Sequence, residues 1–266
     1  MAKQQDWLNI IQVTDSHLRK ESEGTLLGMN TRDSLDAVLD LVKQGPIVPD
    51  LVLATGDLAQ DGSTEAYQCF ESKMAQFQCP SVWFSGNHDD PVTMAGSVSD
   101  AGVLIKVKIV GAWKLIFLDS SVRNKVYGEF SQEELTLLER ELTCDQDKFV
   151  AICFHHHPVA VNCAWLDTIG LHNADEFFAI ADKFSHIRLI LWGHIHQEYD
   201  QVRNGVRLLA SPSTCVQFKP FSEDFAVDDL APGYRWLRLG SKGEIETAVE
   251  RANHIEFVVD MSSKGY

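Results

Sequence analysis

No apolar run in this 266-residue sequence reaches the roughly 18 to 20 residues that a membrane span needs. Its start, MAKQQDW, lacks the basic-then-apolar pattern of a secretory signal, so the protein is expected in the cytoplasm and without a membrane partner. Basic residues are scarce. Lys and Arg number 23 against 38 Asp and Glu, a formal charge of −15, the wrong sign for gripping a phosphate backbone by bulk charge. Nucleic acid is therefore not an expected partner. CxxC spacing is absent, and the six scattered cysteines (69, 79, 144, 153, 163 and 215) read as reduced thiols in a chain large enough to need no staples. Repeats, low-complexity tracts and Pro/Gly/Ser-rich linkers are missing too, so residues 1–266 read as a single domain.

What is present is ordinary globular composition, 45% hydrophobic and 23% charged. Short apolar runs end abruptly in polar residues: Leu8–Val13, Asp50–Ala54, Ser81–Phe84, Phe149–Phe154 and Ile187–Trp192. Runs this short and β-branched suit strands buried on both faces. Helical patterns lie between them. Thr31 is placed to cap a helix with Leu35, Val38, Leu39 and Val42 on one face, closed by Gly45 and Pro46. Ser63 starts another through Phe77, Ser131 with Glu134 has the capping-box spacing, and Ala174–Phe184 reads as a fourth. Val103 to Ser121, broken at Gly111-Ala112, reads as an antiparallel pair, and the Asn204-Gly205 and Lys242-Gly243 turns make about 200–266 mostly β-hairpins. Strands alternating with helices predict a substantially parallel sheet, and the whole predicts two packed sheets with helices outside.

Ligands of open α/β sheets bind beyond the carboxyl ends of the strands. That position carries Asp15-Ser16-His17, Gly56-Asp57, Gly86-Asn87-His88-Asp89, His155-His156-His157-Pro158 and Gly193-His194-Ile195-His196. Singly, each also reads as cap or turn chemistry. In this order, each after a strand, the five motifs resemble the calcineurin-like metallophosphoesterase superfamily, whose pattern is D-x-H, G-D, G-N-H-D/E, a His before x-Pro, and G-H-x-H. The match in residue type is complete from Asp15 to His196.

The resemblance implies fold class α/β, a four-layer α/β/β/α sandwich of two mixed sheets flanked by helices, around two divalent metal ions. It puts the bridging ligand on Asp57, gives Asp15, His17 and His196 to the first metal, and gives Asn87, His156 and His194 to the second. The superfamily's ligand two residues before the proline selects His156; in an extended segment His155 and His157 face the other way. By the same resemblance His88, with His17 and Asn87, contacts the phosphate and His88 protonates the departing alkoxide; Asp89, a carboxylate next to that imidazole, is placed to hold its ring and favour the protonated form.

The residue types make chemical sense of this. Two divalent ions ~3.5 to 4 Å apart clamp the attacking and leaving oxygens of a phosphoryl displacement, and a carboxylate bridges them with its two oxygens. Nitrogen and oxygen ligands without thiolate suit Fe²⁺, Mn²⁺ or Zn²⁺ over Ca²⁺, and the resemblance favours iron or manganese. Water shared by such ions has its pKa lowered from about 15.7 toward ~7, which yields hydroxide near neutral pH. Four metal charges against Asp15 and Asp57 leave the site positive inside an acidic protein.

Farther along, Ser211-Pro212-Ser213-Thr214-Cys215-Val216-Gln217-Phe218 and Pro232-Gly233-Tyr234-Arg235 resemble the C-terminal signature of bacterial class III cyclic-nucleotide phosphodiesterases. As plain sequence the same stretch is a loop and two hairpin strands. The resemblance implies hydrolysis of 3′,5′-cyclic AMP to 5′-AMP by in-line attack of a metal-bridging hydroxide, with a small nucleotide as partner and a homodimer left open. The alternatives are a broader metallophosphoesterase acting on other diesters, nucleotides or lipid precursors, or a non-catalytic scaffold of the same fold. Phe218 and Tyr234 are candidates for base stacking, and Glu21–Met29 and Asn162–Asn173 for loops overhanging the site. His172, His186 and His254 read as ordinary polar residues, Trp83, Phe154 and Trp192 as core, and the Glu133, Glu134, Glu139 and Glu141 cluster as a solvated helix face.

Overall fold

Ile10 and Ile11 are neighbours in sequence and buried in different cores, because side chains along a strand point alternately to its two faces. A computed structural model describes residues 7–254, 256 and 259–262. The first half runs β1 Trp7–Val13, β2 Thr25–Leu26, β3 Met29–Asn30, α1 Thr31–Gln44, β4 Leu51–Thr55, α2 Thr64–Met74, β5 Ser81–Phe84 and α3 Pro91–Ser97. Next come β6 Val107–Val110, β7 Trp113–Phe117, α4 Gln132–Thr143, β8 Phe149–Cys153, α5 Ala174–Ala181 and β9 Ile187–Trp192. The chain ends with β10 Tyr199–Arg203, β11 Val206–Ala210, β12 Gln217–Phe218, β13 Val227–Asp228, β14 Gly233–Gly240 and β15 Ile245–Arg251.

Two large sheets form, one in the order β15-β14-β1-β4-β5 and the other β10-β11-β9-β8-β7-β6. Both are mixed. In the first, β1, β4 and β5 are parallel while β14 and β15 join antiparallel. The second has β7, β8, β9 and β11 parallel, with β6 and β10 antiparallel at its edges.

Three apolar layers separate four structural ones. Ile10, Leu53, Val82 and Phe84 meet Leu115, Phe117, Leu189 and Leu191 between the sheets. On the outer side of the first sheet, Ile11, Val52 and Trp83 pack against Leu35, Val38 and Leu39 of α1 and Tyr67 and Phe70 of α2. On the outer side of the second, Ile116, Ile152 and Ile190 pack against Leu135, Leu138 and Leu142 of α4 and Phe177 of α5. The result is the expected α/β/β/α sandwich, with Trp83, Phe154 and Trp192 in its cores.

The hairpins at Asn204-Gly205 and Lys242-Gly243 form as read, and Ser131 caps α4 by accepting from Glu134 N. Some boundaries differ. The α1 cap is Asn30, whose side chain accepts from Arg32 N and Asp33 N while Thr31 is already helical. Helix α2 stops at Met74, short of Phe77, and α5 stops at Ala181, short of Phe184. The antiparallel pair begins only at Val107, because Ala101–Leu104 is a 3₁₀ turn. Helix α3 was not foreseen, although Asp90 caps it and Pro91 opens it, an ordinary helix-start pattern.

Candidate metal centre

Parallel pairing brings the carboxyl ends of β1, β4 and β5 to one edge of the first sheet and those of β8 and β9 to one edge of the second. The edges are joined directly: Gln12 Nε2 donates to Trp192 O at 2.9 Å, and His155 Nδ1 to Thr55 O at 2.8 Å. Past each strand the chain bends sharply. Asp15, His17, Asp57, His194 and His196 all take left-handed backbone, with φ of 54°, 46°, 50°, 67° and 49°. Few non-glycine residues do so, and Asp and His are among those that tolerate it. Gly56, at φ 94°, is required for a second reason: a Cβ there would run into His155 Nδ1.

Asp15, His17 and His196 form one group, their ligand atoms all within 4.8 Å of one another. His17 Nδ1 lies 2.6 Å from Gln60 Oε1 and His196 Nδ1 2.8 Å from Val216 O. Both partners are acceptors, so each Nδ1 carries the hydrogen and each Nε2 is left with a lone pair. These two Nε2 atoms face each other at 3.1 Å. Opposed lone pairs at that distance call for a cation or a proton between them. Burial, against the pull of Asp57, takes His17 down to about 3, which disfavours the proton.

The second group gathers His155, His156 and His194, their ligand atoms within 4.8 Å of one another; His156 Nε2, His194 Nδ1 and the neighbouring loop's Asn87 Oδ1 are buried and find no hydrogen bond, while His155 Nε2 pairs with Asp57 Oδ2 at 3.2 Å. Unpaired buried polar atoms are costly, so these three mark a place where a ligand belongs. Each histidine is held through its other nitrogen. His155 Nδ1 donates to Thr55 O, His156 Nδ1 lies 2.8 Å from Ser120 Oγ, and His194 Nε2 donates to Ile169 O at 3.1 Å. A ring fixed through one nitrogen and presenting the other is how proteins orient metal-binding imidazoles.

Charge follows the same pattern. Burial would raise Asp15, but His196 and His155 hold it below the usual carboxylate range. Burial likewise opposes the ionised Asp57, and His155 and His88 hold it well below that range. His156 and His194 are pushed well down by burial and by neighbouring imidazoles, so they stay neutral and able to ligate. His155 is the exception, lifted to about 9 by Asp57 and Asp15 despite its burial. The oxygen and nitrogen donors, without thiolate, fit two divalent ions of the Mn, Fe or Zn kind.

Residues 8–198 match the calcineurin-like phosphoesterase family. This chain is a calcineurin-like phosphoesterase. Over 257 residues, 97% of this chain and 94% of the relative, the phosphoesterase is 44% identical to the 3′,5′-cyclic adenosine monophosphate phosphodiesterase CpdA of Pseudomonas aeruginosa. It is 43% identical to the protein of the same name in Escherichia coli strain K12, across 97% of this chain and 95% of that one. Two solved structures share the fold at low identity. A dimetal phosphatase from Danio rerio aligns with a TM-score of 0.61 at 16% identity, covering 92% of this chain and 99% of that one. A purple acid phosphatase from yellow lupin seeds aligns with a TM-score of 0.69 at 10% identity, covering 95% of this chain and 53% of that one.

The phosphoesterase gathers Asp15, His17, His196, Asp57, Asn87, His156 and His194 at the joined sheet edges. His88 sits beside them: its N–H donates to Asp57 Oδ1 at 2.8 Å and its ring stands edge-on to His17, centroids 5.1 Å apart. Asp89 departs from the reading. Its oxygens accept from Leu58 N (3.2 Å), Ala59 N (3.0 Å), Gly86 N (2.9 Å) and Tyr67 OH (3.1 Å). The carboxylate is turned to the backbone, where it ties the Asp57 loop to the Asn87 loop. Burial and nearby Asp57 raise it to about 7, against those amides.

Phe218 and Tyr234 are buried, Phe218 stacked on His196 at 4.0 Å and Tyr234 within the helix-side core, so neither offers an open face to a base. Sequence reasoning missed His155, Gln60 and Ser120. The alternation argument for the three histidines fails because β8 ends at Cys153; His155 and His156 both turn inward, their rings 5.0 Å apart at 89°. Of the two loops expected to overhang, 162–173 reaches the site through Ile169 O. His172 is exposed and stacks on Tyr127 at 3.8 Å. No helix among the described residues is long and apolar enough to cross a membrane.

Proposed function

We propose that this phosphoesterase hydrolyses 3′,5′-cyclic AMP to 5′-AMP at two divalent metal ions. The observation that carries the proposal is its likeness, along nearly the whole chain, to bacterial proteins named for that activity, in a chain that brings Asp15, His17, Asp57, His155, His156, His194 and His196 into overlapping groups of ligand atoms. Asp15, His17 and His196 would hold one ion and Asn87, His156 and His194 the other, with Asp57 the carboxylate available to both. Bound there, the pair supplies Lewis acidity toward the phosphoryl oxygens.

The remaining work belongs to the chain. A water gives up one proton to solvent and its oxygen bonds to phosphorus while the bond to the 3′ oxygen breaks; His88 gives the leaving oxygen its proton and takes one back from solvent for the next turnover. The His88 backbone is fixed by its bond to Asp57, and His88 lines a cleft together with Asn87. Asp89 keeps these two loops in register.

Iron or manganese is the expected pair, with zinc as the alternative. All six cysteines are free, which suits a reducing cytoplasm, and we place the enzyme there, as one domain acting alone or as a homodimer. The test is a comparison of initial rates on cyclic AMP, bis(p-nitrophenyl) phosphate and 5′-AMP with Mn²⁺-reconstituted protein. Cyclic AMP should be consumed with 5′-AMP accumulating. Turnover of the artificial diester with none of cyclic AMP defeats the assignment.

A further inference from the structure

Beside the metal centre lies a cleft of about 700 Å³, between the segment 87–92 and the loop 119–124. Sites for small ligands typically span about 300 to 1,000 Å³, so it is large enough for much more than a phosphate. One end is made by Asn87 and His88, the residues nearest the reacting ester on the reading above. The other carries Asp90, Asp119, Val122 and Arg123.

Resting on that reading, we propose that this cleft is the nucleoside subsite, with Val122 as its wall and Asp90 and Asp119 as the residues that reject a second anionic group. Asn87 and His88 belong to both the metal edge and the cleft, so an ester held at the metals has its remainder directed along this lining. The chemistry of the lining sets what it accepts. Its carboxylates outnumber its one guanidinium, Arg123. Ionised carboxylates only accept hydrogen bonds, so they match hydroxyl and amino groups of a neutral nucleoside and repel a further phosphate. The cations and the cleft thus divide the labour, one end taking the single charge of a cyclic phosphate and the other taking an uncharged remainder. Asp90 and Asp119 also hold their own loops, Asp90 by accepting from Thr93 N at 2.7 Å and Asp119 from Ser121 N at 2.9 Å. Asparagine keeps the one accepting oxygen each loop uses, removes the charge and turns the other oxygen into an amide NH₂ group.

Two variants test this, each read on cyclic AMP and on the small diester methyl p-nitrophenyl phosphate, with metal content measured alongside. Val122→Trp should raise KM for cyclic AMP by roughly tenfold or more, as overfilling a fitted site does, with two metals retained and turnover of the small diester little changed. In the double variant D90N/D119N, the ratio of inhibition constants for adenosine 3′,5′-bisphosphate and 5′-AMP should move about fivefold in favour of the bisphosphate. An unchanged KM in Val122→Trp, or equal losses on both substrates, overturns the subsite. An unchanged inhibition ratio overturns the role of the two carboxylates. If the metal-loaded parent turns over the small diester and not cyclic AMP, it is the hydrolase reading beneath the subsite that fails.

Discussion

His17 Nε2 and His196 Nε2 confront each other at 3.1 Å, each with its hydrogen committed on the far side of the ring. They come from opposite sheets, His17 after β1 and His196 after β9. A cation seated between them, with Asp15 Oδ1 3.4 Å from His196 Nε2, would make the contact a joint between the sheets.

Chelation should therefore destabilise the fold and not merely silence it. A ligand bound at a thousand times its dissociation constant adds about 4 kcal/mol, which for a chain of this size moves Tm by about 8 to 16 °C. Scanning calorimetry with EDTA and then with excess Mn²⁺ checks this. A Tm indifferent to both speaks against the metal assignment.

Asn87→Ala removes an inward-facing amide oxygen while leaving β5 and its packing intact. Turnover should drop by roughly 100-fold or more, with circular dichroism matching the parent and the second metal lost in elemental analysis. Full activity in a folded variant would dismiss Asn87 as a ligand.

His88→Ala should lower kcat by about 10² to 10⁴ and change KM far less, since a proton delivered to the leaving oxygen acts in the transition state. An effect confined to KM would demote His88 to a binding residue.

Asp89→Ala leaves three backbone N–H groups, those of Leu58, Ala59 and Gly86, without their acceptor. A loss of about 3 kcal/mol or more is expected in denaturant unfolding, against about 1 kcal/mol for Tyr67→Phe, which gives up one hydroxyl donor to the same carboxylate. Equal, negligible losses would show that the carboxylate does not bind the two loops together.

The sandwich was legible because apolar runs and helical spacings are local properties, and the polar residue after each run follows from where a buried strand must stop. The caps at Ser63 and Ser131 could be read for the same reason. What could not be read depends on direction in space. Asp89 stands next to His88 in sequence, yet its carboxylate is turned by the amides of Leu58 and Ala59, thirty and more positions away. His155 escaped because alternation holds only while the strand continues, and β8 ends before it. Aromatic type suggested stacking for Phe218 and Tyr234; burial withdrew both from solvent. The left-handed turns at Asp15, Asp57, His194 and His196 carry no signature beyond residue types that tolerate them.

His17 and His196 are separated by 179 positions, and that span sets an order of events during synthesis. On the proposed ligand sets, a polypeptide that has emerged only as far as α5 possesses neither complete set of donors, so firm capture of both ions would wait until the final motif leaves the ribosome. On the proposed assignment, loading would mark completion of the chain through His196, and a product cut short before His194 would lack a donor to each ion.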